Sequence, residues 1–90
     1  MNIIKEQNAD ELKIAVEGRL DTTTAPELEA ELKASLDGVK SLIIDFANLA
    51  YISSAGLRVI LSAQKTMNKQ GKMVIRNVND DIKEVFEITG

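Results

Sequence analysis

Two adjacent serines, Ser53 and Ser54, stand just before a run in which apolar residues recur at helical spacing: Val59, Ile60, Ala63 and Met67. A hydroxyl placed there can accept a hydrogen bond from one of the unpaired N–H groups that open a helix. The same N–H groups, with the positive end of the helix dipole, favour an anion. Such a hydroxyl is a cap, a phosphate-binding group, or a group that is itself phosphorylated. Two carboxylates, Asp21 and Asp45, fall at the ends of expected strands near this loop and could be read as the acid–base pair of a hydrolase. The chain has no histidine and no cysteine, which removes the commonest general base together with thiolate and imidazole metal ligands. A serine nucleophile would then lack a clear base, and Asp21 and Asp45 are more simply acceptors for loop N–H groups.

The elements that must position these residues follow from periodicity. Leu12, Ile14 and Val16 alternate with Lys13, Ala15 and Glu17, and with the partly apolar Met1–Gln7 they read as a hairpin with one wet face. Thr24 and Glu27 have the spacing of a capping box, and Pro26 is tolerated in a first turn, so a helix is expected there with Leu28, Leu32 and Leu36 as its stripe. Glu29 and Lys33 can pair on its exposed side, and Gly38 is a plausible stop. Leu42–Phe46 reads as a buried strand, followed by the serine loop and its helix, which buries Gly56, Val59, Ile60, Ala63 and Met67 and exposes Arg58, Ser62, Lys65 and Lys69. Leu57 and Leu61 fall between the two arcs, and two readings are open: a wider core face, or apolar surface left for another protein. Met73–Arg76 is a short strand expected parallel to Leu42–Phe46, and Asn79 caps a last helix with Asp80 and Asp81 in its first turn and Val78, Ile82, Val85 and Phe86 inward.

Ninety residues support one domain and one core. The fold class is α/β: a mixed, mainly parallel sheet with packed helices, in the order β-β-α-β-α-β-α. The formal net charge is −3, with eleven basic residues scattered rather than clustered, which argues against nucleic acid. Only Phe46, Tyr51 and Phe86 are aromatic, so no row of rings is available for stacking. No apolar run approaches the roughly 20 residues that span a bilayer, and Met1–Glu6 lacks the form of a signal peptide, so a cytoplasmic protein is expected.

The wording of Leu42–Leu61 resembles the STAS domain of bacterial anti-sigma factor antagonists, whose signature is an apolar strand ending in Asp, a short loop with an aromatic, then Asp-Ser-Ser-Gly-Leu or a close variant. Here the matching residues are Ile43-Ile44-Asp45-Phe46, Tyr51-Ile52 and Ser53-Ser54-Ala55-Gly56-Leu57. Gly18-Arg19-Leu20-Asp21 looks like the family's Gly-x-Leu-Asp, and Val85–Gly90 is similar to its late helix, so the likeness extends over nearly all of residues 1–90.

The resemblance implies a binding module rather than an enzyme, with no cofactor and no metal. Its partner would be an anti-sigma factor serine kinase, and a serine phosphatase would reset it. The phosphorylated serine maps onto Ser54, with Ser53 as the alternative acceptor, because Ser53 replaces an acidic residue that often stands there. The implied partner surface comprises Asp21, Ser53, Ser54, Ala55, Gly56, Leu57, Arg58 and Leu61. The rival is a small-molecule or nucleotide-binding domain, although the loop lacks the Gly-x-x-x-x-Gly-Lys pattern that wraps a triphosphate. Family members usually continue beyond the position of Gly90 with another strand and helix. Their absence would leave a sheet edge bare and favour self-association.

Overall fold

The computed structural model describes residues 1–89, with side chains through Val85. A hairpin of β1 (Asn2–Asn8) and β2 (Glu11–Leu20) turns at Ala9 and Asp10, and Ala9 adopts a φ of 56°. Then come α1 (Ala25–Ser35), β3 (Ser41–Asp45), β4 (Leu49–Ile52), α2 (Ser54–Gln70), β5 (Lys72–Arg76) and α3 (Asp80–Thr89). The described strands form one sheet in the order β1-β2-β3-β5, with β4 paired to the far end of β2. Only the β1–β2 pairing is antiparallel; β2–β3, β2–β4 and β3–β5 are parallel.

Alternation decides which face is covered. Leu12 and Leu42 are register partners, as are Ile14 and Ile44, and all four are wholly buried with Val16. The three helices lay their apolar stripes on this face: Leu28 and Leu32 of α1, Val59, Ile60, Ala63 and Met67 of α2, and Ile82 of α3. On the other face Lys13, Ala15 and Glu17 are only half-buried, as expected for a hairpin with one wet side. The Phe86 side chain, expected on the inner stripe of α3, lies outside the described residues.

Two expected details are corrected. The element order gains a strand, β4, in what reads as a loop in the sequence. And α1 starts after Thr24 without a capping box, because the Thr24 hydroxyl is engaged upstream: it accepts from the Asp21 N–H and donates to the Arg19 carbonyl, each at 2.8 Å. The Glu29–Lys33 pair forms at 3.3 Å, and Asn79 caps α3 by accepting from the Ile82 N–H at 2.9 Å. Gly38, with φ of 80°, sits in the turn after α1. Where α2 ends, Gly71 passes so close to the backbone of Lys40 that any Cβ would collide with it, which explains a glycine between helix and strand. Gln70 secures the same corner by donating to the carbonyls of Leu36 and Val39 at 2.6 and 2.7 Å.

Candidate functional site

The serine loop is where β4 turns into α2, and each of its residues is placed by a neighbour. Ser53 is extended and is held by three hydrogen bonds. Its N–H donates to the Leu20 carbonyl at 2.8 Å, its carbonyl accepts the Leu57 N–H at 2.9 Å, and its Oγ accepts the Gly56 N–H at 3.3 Å. Ser53 is therefore the N-cap. Ser54 is the first residue of α2; it is exposed, and its hydroxyl has no hydrogen-bond partner among the described residues. Of two adjacent hydroxyls, one is committed to the fold and the other is free.

Gly56 explains how the helix comes so near the sheet. A Cβ there would stand 2.7 Å from Leu20 Cγ and 2.9 Å from the Leu20 carbonyl oxygen, so only glycine lets the first turn of α2 rest on the end of β2. That close seating also separates the two leucines. Leu57 is 4 % exposed and belongs to the core, whereas Leu61, one turn further on, is 50 % exposed. Gly56 and Leu57, both expected on the partner surface, are buried where α2 docks on Leu20. Ala55 is half-buried, and Arg58 is exposed on the same side as Ser54.

The two carboxylates stay apart in different turns. Asp21 Oδ1 accepts from the Thr23 hydroxyl at 2.7 Å and from the N–H groups of Thr23 and Thr24 at 3.0 and 3.2 Å. The Thr23 hydroxyl, with those N–H groups, holds its carboxyl below the ordinary value. Asp45 Oδ1 accepts from Asn77 Nδ2 at 3.0 Å and the Ala47 N–H at 2.9 Å, and the Asn77 amide is the main cause of a lowered pKa. Each carboxylate thus braces a loop, as the sequence led us to expect, and neither is poised to take a proton at neutral pH. No group of three acidic side chains suited to a metal occurs among the described residues. A groove of about 300 Å³ runs between α1 and α2, but its lining includes none of Ser53, Ser54 and Tyr51, so it offers no nucleotide seat at the loop.

One feature of the site escapes sequence reading. Arg19 on β2 and Tyr51 on β4 are register partners, and the guanidinium lies 4.4 Å from the ring centroid. Arg19 Nε also reaches Asp21 Oδ2 at 3.7 Å. Without β4 as a strand, nothing in the sequence pairs residues so far apart.

With this geometry in hand, residues 2–90 match the family model described as the STAS domain. The chain belongs to the STAS domain family. BtrV of Bordetella bronchiseptica, whose provisional name is anti-sigma factor antagonist, is 42 % identical over 77 residues, covering 83 % of this chain and 66 % of that protein. The anti-sigma-B factor antagonist of Staphylococcus aureus is 36 % identical over 80 residues, covering 87 % and 74 %. The chain thus spans about two thirds to three quarters of the length of these relatives. The fold is shared with SpoIIAA of Bacillus, solved in an unphosphorylated form (TM-score 0.81, 97 % of this chain and 83 % of that one) and a phosphorylated form (0.79, 99 % and 84 %), each 19 % identical.

Proposed function

We propose that this STAS domain is an anti-sigma factor antagonist that works by being bound, not by catalysis. Unphosphorylated, it docks on an anti-sigma factor serine kinase in the cytoplasm and so frees a sigma factor; phosphorylation of Ser54 ends the contact, and a serine phosphatase restores it. The observation that carries this reading is the free, exposed hydroxyl of Ser54 beside the helix-capping hydroxyl of Ser53. The relatives named as antagonists support the partner class.

The chemistry belongs to the kinase. Ser54 Oγ attacks the γ-phosphorus of ATP, an Oγ–P bond forms while the bond to the β,γ-bridging oxygen breaks, ADP leaves, and the hydroxyl proton passes to a base of the kinase. The product carries about −1.5 to −2 charges at pH 7, placed at a helix N-terminus where an anion is tolerated. The fold survives the modification, while a desolvated contact with the partner does not. Around Ser54 the partner surface takes in Asp21, Ser53, Ala55, Arg58 and Leu61.

The test is incubation with ATP and each candidate anti-sigma factor kinase from the same genome, read by phosphopeptide mass spectrometry. Label is expected on Ser54 and none on Ser54→Ala. Label on Ser53 alone, or no label with any kinase that binds, overturns the assignment.

A further inference from the structure

The basic residues are scattered along the chain, but the acidic ones are not: from Phe46 to Asn79 there are five Lys and Arg (Arg58, Lys65, Lys69, Lys72, Arg76) and no Asp or Glu. In a chain of net charge −3 this is a strong segregation, and the fold sharpens it. The exposed side of α1 carries Glu27, Glu29 and Glu31, and two of these are paired, Glu29 with Lys33 and Glu31 with Lys5. The cations of α2 have no acidic partner among the described residues. Ser54, Arg58, Leu61 and Lys65 follow at intervals of four, three and four, so they stand one above another on a single exposed ridge of the helix. Its centre is Leu61, a large apolar side chain half in solvent.

Building on the function proposed above, we infer that this ridge is the docking face for an acidic surface of the anti-sigma factor kinase, with an apolar socket for Leu61 between carboxylates that meet Arg58 and Lys65. The ridge is continuous with Ser54, so a partner that reaches the hydroxyl also covers it. Charge complementarity of this kind sets encounter rate and register. It also gives the switch a physical cause. A phosphate on Ser54 lies one helical turn before Arg58, the order in which an anion and a cation on a helix attract best, so it draws Arg58 away from the partner and cancels most of the charge of the ridge. A nucleic acid is disfavoured as occupant because an apolar leucine, not an aromatic platform, lies between the cations.

The experiment is calorimetric titration of the kinase that binds wild-type protein against Arg58→Glu/Lys65→Glu and, as a control of equal net charge, Lys40→Glu/Lys83→Glu. All four side chains are exposed, and matching melting curves would establish that the variants are folded. The ridge variant is expected to bind about tenfold or more weaker than the control, and Arg58→Gln/Lys65→Gln to fall between, since like charges facing each other are costly. Wild-type affinity should drop severalfold as NaCl rises from about 0.05 to about 0.5 M, and the Gln variant should respond less. Equal losses in ridge and control variants, or no loss in either, overturn the inference while leaving the antagonist reading intact. Wild type that binds no kinase defeats both, and tighter binding of single-stranded oligouridylate than of the kinase at equal salt replaces the protein occupant.

Discussion

Ser53→Ala and Ser54→Ala should differ in stability although they remove the same atom from neighbouring residues. Losing a helix cap costs about 0.5–2 kcal/mol. The Ser53 Oγ–Gly56 N–H distance of 3.3 Å is at the long end for such a bond, which places Ser53→Ala in the lower half of that range, about 0.5–1 kcal/mol. In a domain of this size that corresponds to roughly 2–8 °C in Tm. Ser54 makes no side-chain hydrogen bond and occupies the first helical position, where alanine is the better helix former, so Ser54→Ala should stay within about 0.5 kcal/mol of wild type. Ser53→Asp should keep the cap. Urea melts of the three variants under one buffer decide the matter. A loss in Ser54→Ala equal to or larger than that in Ser53→Ala would refute the division of roles between the two hydroxyls.

Leu57→Ala should cost about 2–5 kcal/mol of stability as a buried truncation, while Leu61→Ala should leave stability within about 0.5 kcal/mol yet weaken kinase binding by more than about 1 kcal/mol. The reverse ranking in melts and titrations would mean that Leu61 packs inward. Asp21 and Asp45 have folded-state pKa values below 3.8, so their ionised forms favour the fold: that contribution is complete above the unfolded value and is lost as pH falls through the lower folded ones. Urea midpoints between pH 7 and pH 2.5 should therefore fall below about pH 4 in wild type and less steeply in Asp21→Asn/Asp45→Asn, and identical slopes would discount both loops.

Most of the architecture is legible in two periods. The alternation of Leu12, Ile14 and Val16 and the helical stripe of Gly56, Val59, Ile60, Ala63 and Met67 are both buried where expected, because each faces one continuous apolar layer. β4 is illegible for a physical reason. It is four residues long and buries Leu49 and Ile52 but exposes Ala50 and Tyr51, a spacing of three that breaks the alternation of a strand and accompanies the register shift at Gly18 and Arg19. The Arg19–Tyr51 contact was hidden with it. Thr24 shows a different limit: its position at the head of α1 follows from spacing, but its hydroxyl bonds to the turn before it, a choice that depends on where Arg19 and Asp21 come to rest. Leu57 and Leu61 are equivalent on a helical wheel, which treats every turn alike; the first turn of α2 is pressed onto Leu20, and the second is not.

That pressed first turn also means that the proposed phosphorylation of Ser54 would leave the fold's own bonds in place. The anchoring of α2 is carried by Ser53, through three hydrogen bonds, and by the bare face of Gly56 against Leu20. None of these passes through the side chain of Ser54, so a phosphate there breaks no bond that the fold needs. Had Ser54 been the cap, adding a phosphate would have altered the helix start and the signal together, and the modified protein would have differed in stability as well as in charge. With the cap one residue earlier, the two forms can share one backbone and differ in the electrostatics of a single ridge. The proposed switch, in which one partner reads the surface differently before and after phosphorylation, requires that separation, and two neighbouring hydroxyls with different bonding would supply it.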